Sequence, residues 1–166
     1  HEKYMNEHGK QMPEIINWGD LEWLNFQRTR ERWLYEFAQS LTDSIKQVKP
    51  DMQVTHQFSP VLLGWYYAQR KIADACDYTS GDFYGGIHQQ QLGTKVMAAF
   101  SKTMPYVFMT SRCVTLYDHS STKSETELIA GGETTIANGG AYFFIDAINP
   151  ERTLYRKIYA LFNKVI

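Results

Sequence analysis

From Leu34 the apolar positions Leu34, Phe37, Ala38, Leu41, Ile45 and Val48 recur in steps of three and four, which predicts an amphipathic helix. Asp20 is placed to cap its start, and Lys49-Pro50 ends it. Residues 1–19 read as irregular and polar, broken by Pro13 and Gly19. Met52, Val54, His56 and Phe58 then alternate with Gln53, Thr55 and Gln57, the period of a strand. Residues 59–75 read as a loop with a short helix, and a short strand starts at Cys76 and ends in Ser80-Gly81-Asp82. Leu92, Val96, Ala99 and Phe100 mark a second helix, and Tyr106 to Thr110 an apolar strand. Ser124 and Glu127 have the spacing of a capping box before Leu128 and Ile129, and Asn138-Gly139-Gly140 stops that helix. Ala141 to Ile145 is a last short strand. Asn149 and Pro150 then read as cap and first position of a closing helix with the stripe Leu154, Ile158, Leu161, Phe162, Val165.

The order is a helix followed by strand–helix repeats, with strands beginning near 52, 76, 106 and 141. Short apolar strands alternating with helices predict an α/β fold with parallel strands. An open doubly wound sheet and a barrel both satisfy the pattern. In either, ligands gather where strands end. The predicted ends carry His56 and Gln57, then Asp82 and Tyr84, then Ser111 and Arg112, then Asp146. Asp82 and Asp146 follow directly on apolar runs, where an idle carboxylate risks desolvation.

Composition narrows the chemistry. The 166 residues suit one domain, and a net charge of −1 gives no basic face for nucleic acid. Four Trp, eleven Tyr and nine Phe fill a core or, on the sharper reading, stack against sugar rings. Cys76 and Cys113 follow no metal or redox spacing and read as buried reduced thiols. No segment is apolar for long enough to span a bilayer, and residues 1–10 lack the apolar core of a signal peptide, so no membrane partner is expected and a cytoplasmic setting is favoured. Without an initiator Met, the chain reads as an excised or processed piece. Residues 81–86 do not form GxGxxG, and no phosphate loop, HExxH pair or GxSxG is present, so no cofactor and no metal is expected. What remains is carboxylate chemistry flanked by His, Arg, Tyr and Trp, an inventory that suits glycoside hydrolysis by two carboxyl groups.

Longer strings are more specific. They are Ser80-Gly81-Asp82-Phe83-Tyr84-Gly85-Gly86 with Gln89-Gln90-Gln91-Leu92 and Lys95, then Ser111-Arg112 with Leu116, Asp118-His119 and Lys123. The last are Ala137-Asn138-Gly139-Gly140-Ala141-Tyr142 and Ile145-Asp146-Ala147-Ile148-Asn149-Pro150. Together, over nearly the whole chain, they resemble bacterial glycoside hydrolases of the "hypothetical glycosyl hydrolase" group, some of which are alpha-L-fucosidases. The resemblance implies a single partial catalytic domain over residues 1–166, the C-terminal half of a (β/α)8 barrel, with about four βα units as strands five to eight. It implies exo-acting, retaining removal of a terminal sugar. In related fucosidases the nucleophile is an Asp ending the fourth strand, which places it just before His1. A whole barrel takes roughly 250 residues, so a homo-oligomer or the remainder of a longer chain is the expected partner.

The resemblance makes Asp82 and Asp146 the candidate catalytic residues, with Asp82 an acid/base group or, alternatively, a helix N-cap. Arg112 is to bind sugar or a catalytic carboxylate, or to pair with Asp118; Asp146 is placed to hold it. His56 and His119 are candidate sugar ligands or structural histidines. Trp65 and Tyr84 form a stacking wall or part of the core. The alternatives to a fucosidase-like enzyme are a β-galactosidase-like glycosidase, a non-catalytic carbohydrate-binding fragment and a flavodoxin-like binding module.

Overall fold

The computed structural model describes residues 1–57, 70–115, 118, 120–148 and 150–165. Its elements are α1 (Glu2–His8), α2 (Leu21–Val48), a 3₁₀ helix (Arg70–Ala75), β1 (Ser80–Asp82), α3 (Ile87–Phe100), β2 (Val107–Ser111), α4 (Glu125–Ala137), β3 (Ala141–Ile145) and α5 (Arg156–Val165). The strands form a parallel sheet in the order β1-β2-β3. Among the described residues Gln57 bridges Ser80 in parallel, so residues 52–57 contribute an isolated bridge beside β1; Phe58, the last position of the expected strand, lies outside the described residues. The fold is therefore α/β with a small parallel sheet.

Side-chain alternation divides the sheet into two faces. Gly81, Phe108 and Tyr142 share one register row, and Phe83, Thr110 and Phe144 continue that face. The helices pack here. A Cβ on Gly93 of α3 would meet the Phe108 ring at 3.3 Å and Phe83 at 3.4 Å. Phe83, Phe108 and Tyr142 are stacked in series, and Phe144 stacks on Phe162 of α5 at 4.2 Å. Asp82, Met109 and Phe143 share the row on the opposite face, where Phe143 is 54% exposed.

Local signals set most boundaries. The Asp20 carboxylate accepts from the Glu22 N–H at 2.9 Å and starts α2. Ser124 and Glu127 exchange both bonds of the capping box and start α4. Gly139, at φ 80°, supplies the left-handed turn out of α4 that a Cβ would strain.

Three expectations are corrected. Residues 2–8 are helical: Tyr4, fully buried, packs edge-on against Phe26 and Trp33 of α2, so α1 is held by tertiary contacts that no local pattern announces. Of the predicted stripe of α2 only Ala38 is buried. Leu34, Phe37, Leu41, Ile45 and Val48 are exposed, and Ala38 and Thr42 turn inward because Thr42 Oγ1 donates to Ala75 O at 2.7 Å. The closing helix starts at Arg156, not Pro150; Asn149 and the side chain of Val165 lie outside the described residues. Of its stripe, Ile158 and Phe162 are buried with Leu128, and Leu161 packs against them. Among the described residues no helix is long and apolar enough to cross a membrane.

Candidate functional site

Because the strands are parallel, Ser111 and Asp146 reach one edge of the sheet together, Asp82 ends β1 two rows before it, level with Met109 and Phe143, and Gln57 lies level with Ser80. Alternation then sorts them onto different faces.

One group centres on Asp82, the last residue of β1. Thr55 and Gln57 share a face of the preceding segment. Thr55 Oγ1 lies 2.9 Å from Ser80 Oγ, and the Gln57 side-chain amide donates to Asp82 Oδ1. Burial raises the Tyr84 phenol, and its hydrogen bond to Asp82 raises it further, so it stays protonated and donates to the carboxylate. Beside them lies a cavity of about 320 Å³ lined by Asp82, Phe83, Tyr84, Gly85, Gln89, Val114 and Thr115. The Gly85 N–H donates to Gln89 Oε1 at 2.7 Å, and a Cβ on Gly85 would strike that side chain, so the small residue is what admits Gln89 to the rim. Asp82 does not cap a helix: the N-cap of α3 is Gly86. A carboxylate fixed by an amide and a phenol beside an open cavity is equipped to exchange a proton with, or hold a hydroxyl of, a bound ligand.

A second group lies on the helix-bearing side. Arg112 continues the parity of Phe108 and Thr110, and Asp146 that of Tyr142 and Phe144. Arg112 Nε donates to Asp146 Oδ1 at 2.5 Å, with side chains only 10% and 6% exposed. Arg112 Nη1 also donates to Ser121 O at 3.0 Å and Thr122 Oγ1 at 3.1 Å, which ties the segment after β2 to the end of β3. Asp146 Oδ2 is buried and has no hydrogen-bond partner. The partner of Arg112 is thus Asp146, as one reading of the sequence had it, and not Asp118. Asp118 instead accepts from the Ser120 hydroxyl and from the Ser120 and Ser121 N–H groups, which hold its carboxyl down at about 2. Nearby, Lys123 is 4% exposed and donates to Thr110 Oγ1 at 2.9 Å; burial lowers its ammonium.

His56 joins neither group. It has the parity of buried Val54, and its Nε2 lies 2.9 Å from Thr42 Oγ1 on α2, so its ring faces the helix. Trp65 and His119 lie outside the described residues. The structure therefore brings together Asp82 and Tyr84, and separately Arg112 and Asp146. Sequence reasoning passed over Gln57 and Gln89 as site residues. The signal for Gln57 was present, since a period of two puts His56 and Gln57 on opposite faces and only one can accompany Asp82. Among the described residues no three His, Cys, Asp or Glu side chains cluster as a metal site would require.

No family model, no curated protein and no solved structure matches this chain.

Proposed function

We propose that this chain supplies part of the active site of a glycoside hydrolase, alpha-L-fucosidase-like in its substrate, and that its parallel strands are strands five to eight of a (β/α)8 barrel. The observation that carries the reading is the Asp82 carboxylate at a strand end, held by Gln57 and Tyr84 beside a cavity. In this reading Asp82 is the acid/base group, Tyr84 and Gln89 border the sugar, and Asp146 positions Arg112. Asp82 and Asp146 differ in face parity, so Asp146 is not offered as the group across the scissile bond from Asp82. That group, the nucleophile, stands on a fourth strand upstream of His1. Among the described residues no helix covers the face bearing Asp82 and exposed Phe143, which supports a barrel whose remaining strands close over it, because parallel strands in α/β folds have both faces covered.

The test is nitrophenol release from nitrophenyl α-L-fucoside and β-D-galactoside, by this chain and by the same chain extended upstream. Turnover of the fucoside by the extended chain, falling by about 10²-fold or more in Asp82→Asn, is the expected result. A well-folded Asp82→Asn protein with undiminished turnover overturns the assignment. A β-galactosidase-like enzyme would turn over the galactoside instead.

A further inference from the structure

A second cavity lies away from Asp82, where the segment before α2 meets its first turns. It has a volume of about 480 Å³ and is lined by Ile16, Trp18, Trp23, Phe26, Gln27 and Arg30. That is within the size range of small-ligand pockets. Its walls are aromatic: Trp18 meets Trp23 edge-to-face at 6.1 Å, and Trp23 and Phe26 lie tilted at 5.5 Å. Trp18 is 47% exposed, which leaves part of the indole to a ligand.

The polar groups in this wall are mostly donors. Trp23 is 8% exposed, and its indole N–H is buried with no hydrogen-bond partner. A buried donor left in that state costs about 1–3 kcal/mol, which an acceptor brought against it by a small shift of the Trp23 ring would recover. Gln27 is 7% exposed; its Oε1 accepts from Arg30 Nη1 at 3.3 Å, so its NH₂ group remains a donor. Flat apolar walls with an indole N–H, a carboxamide and a guanidinium suit a ligand with apolar C–H faces and several oxygen acceptors. A pyranose has both.

We infer that this pocket is a second carbohydrate subsite, which binds a pyranose ring against Trp18 with its oxygens on Trp23 and Gln27. The choice of sugar rests on the glycoside-hydrolase reading; the pocket itself does not. The test is calorimetric titration of this chain with methyl α-L-fucopyranoside, methyl β-D-galactopyranoside and cellobiose. Saturable binding of at least one sugar is expected. Trp18→Ala, a change at a half-exposed side chain, should abolish it. Trp23→Phe, which keeps a ring and deletes the N–H, should weaken it about tenfold, the worth of one hydrogen bond. The inference is overturned if no sugar binds or if Trp18→Ala binds as the native chain does. It is also overturned if N-acetyltryptophanamide binds and the sugars do not, which would mark a pocket for a protein side chain. Nitrophenyl glycoside turnover is read separately, so an inactive enzyme with an intact Trp18-dependent titration refutes only the catalytic reading.

Discussion

Replacing Asp146 by Asn removes the charge opposite Arg112 and keeps the shape of the side chain. Both partners are nine-tenths buried or nearly so, so solvent screening gives little relief. Breaking such a pair from one side costs about 3–5 kcal/mol, because a charge is left uncompensated in the interior. Arg112 retains Ser121 O and Thr122 Oγ1 as acceptors, which favours the lower end, about 3 kcal/mol. With a urea m-value of about 2 kcal/mol/M, the unfolding midpoint should fall by about 1.5 M. Arg112→Met alone should cost a similar amount, since among the described residues Asp146 would then be a buried carboxylate with the Ala147 N–H at 2.8 Å as its one remaining donor. The double variant Arg112→Met, Asp146→Leu should recover most of the loss, because apolar replacement of a whole buried pair is often neutral or stabilising. The assay is a double-mutant cycle in urea, closed with the single variants Arg112→Met and Asp146→Leu and their double, followed by circular dichroism. Costs that simply add would refute the reasoning, since they would show that the two groups stabilise the fold independently.

Two other predictions need less apparatus. A Cβ on Gly131 would lie 2.5 Å from the Tyr142 hydroxyl and well inside 3.0 Å of Gln90 Oε1, whereas one on Gly93 meets aromatic carbons at 3.3–3.5 Å. Both are mid-helix, so both alanines gain roughly 1 kcal/mol of helix propensity; Gly131→Ala should still lose stability by about 1–2 kcal/mol through overpacking, while Gly93→Ala stays near neutral, as thermal melts would show. Lys123 has its folded-state value lowered by burial, so between that value and the ordinary 10.5 the unfolded chain binds more protons than the folded one. Stability relative to Lys123→Met should therefore rise with pH across that window in chemical denaturation; a difference that falls with pH would contradict the burial of a charged ammonium.

Much of the local architecture could be read directly from residues. Asp20, the Ser124–Glu127 box and Gly139 act within one helical turn, so their effect needs no knowledge of distant chain. The runs 107–111 and 141–145 are apolar and short, and parallel pairing follows from the helices between them. This was enough to bring Asp82, Arg112 and Asp146 towards one sheet edge, since every parallel strand delivers its end there.

Other features were decided only when the chain closed on itself. The stripe of α2 names an apolar face, but which face is buried depends on what stands opposite; here Ala38 alone of the stripe is buried, and Thr42 beside it bonds Ala75 O of the 3₁₀ segment. Helix α1 exists because Tyr4 finds Phe26 and Trp33, more than twenty residues away. Arg112 had two acidic candidates. Asp118 was the nearer in sequence, but its carboxylate is taken by Ser120 and Ser121, and Asp146 arrives through the β2–β3 register. The same register sends Asp82 to the face with exposed Phe143 and Asp146 to the face on which the described helices pack. Sequence thus determined which residues reach the edge, since that depends on local strand ends. Tertiary structure decided which of them meet, because pairing across strands depends on register and face, and these are set by long-range packing.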